Sequence, residues 1–342
     1  MKILILGGTV FLGRHLVESA LTGGHEVTLF NRGRQRPELF PQVEKLRGSR
    51  EGDLVALRGR RWDAVIDTSG YLPRVVEASA KFLSEAVEQY TFISSISIYA
   101  KYFPGMDESA ETSSLTEEQT KEADSIAAGD HTSAANYGAL YGPLKAACEK
   151  AAENAMPGRV LNIRSGLLVG PYDYSDRFTY WVHRVAEGGE VLAPGRPERP
   201  LQFVDVRDLA DWIVRMIAAK HTGVFNANGP DYPLTMRDLL EESKRLSNSD
   251  AHFTWLTDEF LIESGGTPWT EIPLWVPEQW GSLKHVTFQR ALDAGLTFRP
   301  LAETVSDTLA WDSTRSSHTL RAGLTHEREQ QFLDMWRQQK VE

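Results

Sequence analysis

"KILILGGTVFLGRHLVESALTGGHEVTLFNRGR", residues 2–34, is the stretch that decides the fold. It opens on a short apolar run that is typical of a strand buried on both faces of a parallel sheet. A glycine turn follows, then apolar residues at helical spacing up to Gly23 and Gly24, then a second apolar strand. A strand, a glycine turn, a helix and a strand in about thirty residues predict a βαβ unit.

The glycine turn "GGTVFLG", residues 7–13, suits a pyrophosphate group. Backbone N–H groups at the start of a helix lie at the positive end of the helix dipole, so they favour bound phosphate. Gly7 and Gly13 fit a G-x-x-G-x-x-G frame, but Val10 stands at the position of the middle glycine. A plain tight turn between strand and helix is the alternative interpretation.

The end of the second strand indicates which nicotinamide cofactor binds. A carboxylate there would bind the ribose 2′-hydroxyl of NAD, whereas an arginine would accept the 2′-phosphate of NADP. Asn31 occupies the expected acidic position, and Arg32 and Arg34 follow it. The sequence therefore predicts NADP in preference to NAD, with a solvated basic loop as the alternative.

Further buried strands are predicted at residues 62–70, 90–100 and 159–165. In an open parallel sheet, ligands bind beyond the carboxyl ends of the strands. The small polar residues at two of these ends are Thr68, Ser69, Ser94, Ser95 and Ser97. The acidic stretch at about 104–135 is poor in large apolar residues, which predicts an exposed insertion or mobile loop.

Tyr141 lies four residues before Lys145 in "NYGALYGPLKAACEK", residues 136–150. On a helix, two residues at this spacing share one face. An ammonium about 4 Å from a phenol would favour the phenolate by about 4 kcal/mol, which lowers the phenol pKa by about 3. The pair is either an ordinary surface contact or a phenol tuned for proton transfer, and the spacing alone does not decide.

Composition limits the function classes. The chain has 342 residues and a formal net charge of −10, with a pI near 5.5, which argues against nucleic-acid or anionic-membrane partners. The single cysteine, Cys148, suits a reducing compartment, and no apolar run is long enough to span a membrane. We expect a cytoplasmic protein with a small-molecule substrate, and we consider a homodimer. The histidines show no metal-ligand spacing, so no metal site is expected.

Taken together, the motifs resemble the extended short-chain dehydrogenase/reductases, also called the NAD-dependent epimerase/dehydratase family. The resemblance rests on "GGTVFLG", on "FISSISIYA" and on "YGPLK", and "LLVGP", "QFVDVRDLADWI" and "GVFNANGP" extend it over nearly the whole chain. It implies an α/β fold: a Rossmann-type doubly wound parallel sheet with a smaller C-terminal α/β substrate-binding part. We expect a dinucleotide-binding domain at 1–165 and a substrate-binding part at 166–342, interleaved with it.

The resemblance also assigns roles. Tyr141 would transfer the proton, Lys145 would hold the nicotinamide ribose, and Ser95 would donate a hydrogen bond to the substrate oxygen during hydride transfer. The predicted cofactor-binding residues are Gly7, Thr9, Phe11, Leu12, Gly13, Asn31, Arg32, Arg34, Thr68, Ser69 and Lys145.

Two departures from the family narrow the function. The acidic pair that sugar dehydratases carry after the catalytic serine is replaced by Ile96 and Ser97. Leu201 stands where nucleotide-sugar epimerases carry a diphosphate-binding arginine, and Arg199 is the candidate substitute. An NAD(P)-dependent oxidoreductase is therefore favoured. An epimerase of a non-nucleotide sugar or polyol, a cofactor-sensing protein without turnover and an RNA-binding relative are the alternatives. The tryptophan-rich segment 265–280 would form either a lid or part of a core.

Overall fold

The computed structural model describes residues 1–103, 105–127, 134–280, 286–317 and 319–339. The chain divides into two compact units. The first unit comprises Met1–Gly166, Val206–Asn228 and Val286–Thr297. The second comprises Leu167–Asp205, Gly229–His285 and Phe298–Glu342. The first unit thus takes two segments from the region beyond residue 165 that the sequence analysis gave mainly to substrate binding, and the role of the second unit in substrate binding stays a prediction.

The strands of the described residues are, in chain order, β1 (Lys2–Leu6), β2 (Glu26–Asn31), β3 (Glu44–Arg47), β4 (Trp62–Asp67), β5 (Val87–Ser95), β6 (Val160–Ser165), β7 (Leu168–Val169), β8 (Glu190–Pro194), β9 (Val204–Asp205), β10 (Gly223–Ala227) and β11 (His252–Leu256). Seven of these form one parallel sheet in the first unit, in the order β10-β6-β5-β4-β1-β2-β3. The chain reverses its direction of travel across the sheet between β1 and β4, which is the switch point where doubly wound folds bind ligands.

The α-helices of the described residues are α1 (Leu12–Thr22), α2 (Pro73–Leu83), α3 (Glu117–Ser125), α4 (Tyr141–Ala155), α5 (Arg177–Glu187), α6 (Val206–Ala218), α7 (Met236–Ser247), α8 (Asp258–Glu263), α9 (Gln289–Asp293), α10 (Leu301–Asp312) and α11 (His326–Gln339). Short 3₁₀ turns lie at Val55–Leu57, Ile96–Ile98, Ala134–Leu140 and Glu278–Trp280. In the first unit, α1 packs against α6 and α2 packs against α4.

The predicted Rossmann-type sheet is confirmed. The four apolar residues of β1, Ile3–Leu6, have no exposed surface, as a strand buried on both faces requires. The strand predicted at 90–100 ends at Ser95, where the 3₁₀ turn Ile96–Ile98 begins. β3 was not predicted, because its four residues "EKLR" are mostly polar and show no clear period.

The predicted insertion at about 104–135 is more ordered than expected where it is described. Thr116 and Gln119 form a capping box that starts α3. Ala123 is buried in α3, and the Arg74 side chain donates to the carbonyls of Ala123 and Ile126. Residues 104 and 128–133 lie outside the described residues. The described part of this polar stretch is held by the buried side chains of Met106 and Ala123 and by the Arg74 hydrogen bonds, rather than by a large apolar face.

The second unit has two small parallel sheets among its described residues, β7 with β9 and β8 with β11. The tryptophan-rich segment contributes to its core, since Trp275 has no exposed surface and donates from Nε1 to Asp258 at 2.8 Å. Trp181 of α5 is equally buried and donates to the Pro273 carbonyl at 2.8 Å. For Trp275, the core interpretation is therefore correct and the lid interpretation is wrong.

Candidate active site

Three glycines let the start of α1 lie close to the end of β1. Gly7 and Gly8 have φ angles of +113° and +95°, which residues other than glycine rarely adopt. A Cβ atom on Gly8 would lie 2.4 Å from a Leu29 methyl group, and one on Gly13 would lie 2.9 Å from the Gly8 Cα. Gly8 is thus a necessary member of the turn that sequence reasoning did not single out.

Val10 departs from the family pattern in the structure as well as in the sequence. Its side chain is 42% exposed on the turn, and its carbonyl accepts a hydrogen bond from the Gly13 N–H at 3.0 Å. The other predicted residues of the turn, Thr9, Phe11 and Leu12, are buried.

This turn fits a dinucleotide phosphate. No side chain caps the N-terminus of α1, whose preceding residue, Phe11, has a positive φ of 36°. Helix N–H groups left without a side-chain cap are the usual donors to a bound phosphate. The closely packed glycines supply the short approach that such binding requires, and Val10 borders that approach.

The side-chain amide of Asn31 forms hydrogen bonds within the protein. Its Nδ2 donates to the Gly7 carbonyl at 2.9 Å, and its Oδ1 accepts from the Gly33 N–H at 3.0 Å and from Arg47 Nη1. The amide therefore ties the end of β2 to the glycine turn. The expectation that Asn31 also contacts the cofactor stays a prediction.

Arg47 is a residue that the sequence analysis missed. It lies at the end of β3, directly beside Asn31 in the register of the sheet, and its guanidinium covers Gly33. Arg32 and Arg34 are exposed on the neighbouring loop, and their contact with a cofactor phosphate stays a prediction. The basic group at this edge of the sheet is therefore larger than the sequence suggested, and recognising β3 would have revealed it.

The hydroxyls that follow β4 hold the switch point together. Thr68 Oγ1 donates to the Leu6 carbonyl at 2.9 Å, and Ser69 Oγ donates to the same carbonyl at 3.3 Å. Beneath them, the fully buried Asp67 forms a bidentate ion pair with Arg50, both bonds being 2.6 Å long. Tyr90 Oη also donates to Asp67 at 2.7 Å, so this carboxylate fixes the end of β4.

Ser95 is the last residue of β5, and its side chain is buried but close to the strand end. Its Oγ accepts a hydrogen bond from the Ser97 N–H at 3.1 Å, so that bond does not use the proton of the Ser95 hydroxyl. The neighbouring Ser94 is 2% exposed. The role of Ser95 as a donor to a ligand oxygen stays a prediction.

Tyr141 is the first residue of α4, as the proline two residues later predicted. The next residue, Gly142, presses this helix onto the turn after Ser95, because a Cβ atom there would lie 2.1 Å from the Ser97 carbonyl oxygen. The contact brings the start of the helix with Tyr141 to the strand end with Ser95.

Replacing Gly142 by alanine should therefore push α4 away from the Ser97 carbonyl. We expect the free energy of unfolding to fall by about 3 kcal/mol, the upper range for overpacking. Gly158→Ala is the control: it also adds one methyl group, at a φ of +71° but with open space around it. It should cost about 1 kcal/mol. Equal losses in urea unfolding would show that the contact at Gly142 is not tight.

Lys145 lies one turn into α4 and is 3% exposed. Its Nζ donates to the carbonyls of Gly70 at 2.8 Å and Ile93 at 2.7 Å. The same atom lies 4.7 Å from the ring centres of both Tyr71 and Phe92. Burial lowers the pKa of Lys145 from 10.5 to about 8. The Lys145 ammonium therefore loses its proton at a lower pH than that of an ordinary lysine. Its effect on the pKa of Tyr141 stays a prediction.

Tyr71 is a second residue that sequence reasoning missed. Its ring stacks on Tyr137, with centres 5.2 Å apart and an angle of 14° between the planes, and lies 6.4 Å from the ring of Tyr141. Tyr137 is 5% exposed, and burial raises its pKa to about 12. Tyr137 is therefore unsuited to proton transfer near neutral pH, which leaves Tyr141 as the candidate.

Arg199, the candidate substitute for a diphosphate-binding arginine, lies in the second unit. It is 1% exposed and donates from Nη2 to Asp258 Oδ2 at 2.6 Å. Since Asp258 also accepts from Trp275, this arginine belongs to a buried network with the core tryptophan.

Within the described ranges, no group of three or more histidine, cysteine, aspartate or glutamate side chains is arranged to hold a metal ion. No helix in the described part of the chain combines the length and apolar character needed to cross a membrane.

Comparison with known proteins places this site in a family. The model of the NAD dependent epimerase/dehydratase family matches residues 3–227. The chain belongs to this family. The resemblance found in the sequence is thereby confirmed, and the protein is a member of an enzyme family whose reactions vary between members.

The solved structures that resemble this family member include a sugar-nucleotide epimerase. UDP-glucuronic acid 4-epimerase from Bacillus cereus, solved with NAD, has a TM-score of 0.65 at 14% identity and covers 93% of this chain and 100% of its own. The enzyme WbmH from Bordetella bronchiseptica, solved with NAD+, has a TM-score of 0.66 at 16% identity, with 92% and 99% covered. At these identities the likeness supports the fold alone.

One curated relative is the chloroplast stem-loop binding protein of 41 kDa b from Arabidopsis thaliana. It is 26% identical in an alignment of 251 positions that covers 68% of this chain. The match spans only 59% of the length of that relative.

Proposed function

We propose that the protein is an NAD(P)-dependent oxidoreductase that acts at a hydroxyl or carbonyl carbon of a small molecule. The observation that carries the proposal is the contact of Gly142 with the Ser97 carbonyl, because it brings Tyr141 to the strand end that holds Ser95. The nicotinamide ring, when bound, would accept or supply the hydride. Tyr141 would move the proton on the substrate oxygen, and Ser95 Oγ would donate a hydrogen bond to the same oxygen.

The test is a screen of carbonyl compounds for oxidation of NADPH and NADH, followed by the reverse reaction on the alcohol of any hit. Oxidation that needs both the compound and the protein would support the proposal. A net interconversion of sugar epimers with no net change in cofactor absorbance would instead support an epimerase of a non-nucleotide sugar or polyol.

We propose further that NADP is preferred over NAD. Arg47, Arg32 and Arg34 gather at the end of β2 and β3, and the neutral amide of Asn31 brings no negative charge. A 2′-phosphate would gain ion pairs with these arginines, whereas the neutral ribose diol has no charge to pair.

NADPH should accordingly bind more tightly than NADH, and Arg47→Ala should weaken NADPH about tenfold, the value of one charged hydrogen bond. NADH binding should change little in the same variant. Titration by intrinsic tryptophan fluorescence measures both. Tighter binding of NADH to the wild type, or an Arg47→Ala variant with unchanged NADPH affinity, would contradict the preference.

Sugar nucleotides should be poor ligands despite the fold. Leu201 replaces the expected diphosphate arginine, and Arg199 is held by Asp258 in a buried network. Isothermal titration with UDP-glucose and UDP-glucuronic acid, in the presence of NADPH and then NAD, should detect only binding weaker than about 1 mM, which corresponds to about 4 kcal/mol. A micromolar dissociation constant would identify a sugar-nucleotide enzyme instead.

RNA binding is the second candidate, favoured by the Arabidopsis relative and by residues 32–61, which hold nine basic and four acidic side chains. The net charge of −10 opposes it. Filter binding with a stem-loop RNA at physiological salt decides the matter. Specific retention that NADPH displaces would favour this candidate.

A further inference from the structure

The Lys145 ammonium lies in a cage of four groups: the carbonyls of Gly70 and Ile93 and the rings of Tyr71 and Phe92. The carbonyls accept two of its N–H bonds, and each ring presents its negative π face within the distance of a cation–π contact. Ile93 and Phe92 belong to β5, so one half of the cage is fixed by the sheet. The other half, Gly70 and Tyr71, is a loop.

Tyr71 joins this loop to the tyrosines at the start of α4. Its ring is half-buried, stacks on the buried Tyr137 and lies against Tyr141. Leu72, Leu140 and Leu144 pack around the same aromatic group. A shift of the Tyr71 ring would therefore change the contacts of both Lys145 and Tyr141.

We propose that Tyr71 is a positioning residue: its ring closes the cage around the Lys145 ammonium and supports the ring of Tyr141. The role requires the aromatic face and not the phenolic hydroxyl. This inference rests on the proposed function for its link to turnover, but the cage itself is a property that is measured without a substrate.

The groups around the cage determine how readily Lys145 keeps its proton. Asp67 and Glu149 favour the ammonium, Arg50 disfavours it, and the Cys148 thiol is buried beside it. Burial is the largest influence and lowers the pKa of Lys145 to about 8. Methionine at position 71 keeps this burial but removes the π face that favours the ammonium, so the pKa of Lys145 should fall further below its usual value.

The experiment follows the Lys145 Cε signal by NMR between pH 6 and 11 in protein labelled with ¹³C-lysine, with Lys145→Arg used to assign the signal. Tyr71→Met is the test variant, because methionine fills similar space without a π face. Tyr71→Phe keeps the face, and Tyr137→Met removes the stacking partner without touching the cage.

The wild type and Tyr71→Phe should share a midpoint near 8, and Tyr71→Met should titrate about 1 pH unit lower. Tyr137→Met should stay close to the wild type. A Tyr71→Met variant with the wild-type midpoint would overturn the cage. So would a shift in Tyr71→Phe as large as that in Tyr71→Met. If Tyr71→Met does not fold, the comparison of Tyr71→Phe with Tyr71→Leu applies the same criterion.

The kinetic arm uses any substrate found in the carbonyl screen. Tyr71→Met should lower turnover about tenfold and move the pH–rate profile in the direction of the Lys145 midpoint, while Tyr71→Phe restores both. A shifted midpoint with an unchanged pH–rate profile would overturn the positioning role. If no substrate is turned over, the proposed function fails while the NMR result still decides the cage.

Discussion

Tyr141→Phe is expected to lower turnover by about 10²–10⁴-fold while leaving the fold and cofactor affinity intact, the usual range for loss of a general acid or base. The variant keeps the ring that lies against Tyr71 and removes only the hydroxyl. Steady-state kinetics on a compound from the carbonyl screen measures the loss, and tryptophan fluorescence measures cofactor affinity.

Tyr137→Phe is the matched control, four residues earlier in the same stretch. Burial raises the pKa of the Tyr137 phenol to about 12, so its proton does not move near neutral pH. Turnover should stay within a few-fold of the wild type. Full activity in Tyr141→Phe together with inactivity in Tyr137→Phe would reverse the assignment.

Lys145→Met is expected to abolish measurable turnover and to weaken cofactor binding. It removes the group assigned to the nicotinamide ribose and leaves the buried carbonyls of Gly70 and Ile93 without their donor. An unpaired buried polar group costs about 1–3 kcal/mol, so a loss of stability should accompany the loss of function.

The pH dependence of the free energy of unfolding tests whether the Lys145 ammonium is desolvated in the folded protein. The pKa of Lys145 is about 8 in the folded protein against 10.5 as the ordinary value, so the unfolded chain binds more protons between these pH values. The cost of burying the ammonium is therefore fully present below pH 8 and is relieved as the pH rises towards 10.5. Between pH 7.5 and 9.5, the free energy of unfolding of the wild type should rise by about 2 kcal/mol relative to that of Lys145→Met, as measured by urea unfolding. A constant difference would show that Lys145 is not desolvated.

The parts of the fold that the sequence predicted are those that one segment determines by itself. The apolar run of β1 and the spacing of α1 are local, and both elements lie within two residues of the predicted position. Tyr141 at the start of a helix follows from the nearby proline. These features needed no knowledge of a distant partner.

The features that the sequence did not predict depend on contacts between distant segments. Lys145 bonds to carbonyls 75 and 52 residues away, and no periodicity reports such partners. Arg47 meets Asn31 only because β3 pairs with β2. The hydrogen bonds of the Asn31 amide likewise depend on the turn at Gly7, so the sequence did not show that this side chain also stabilises the turn.

The discontinuity of the first unit has a consequence for how the protein is made. Val206–Asn228 and Val286–Thr297 complete that unit. The first of these segments carries α6, which packs against α1, and the edge strand β10. A chain leaves the ribosome from its N-terminus. When residue 166 has emerged, β6 has an open edge and the apolar face of α1 has no cover. We expect such a nascent chain to need a chaperone until about 60 more residues, as far as the end of β10, have been translated, and a gene fragment ending at Gly166 to yield aggregated protein.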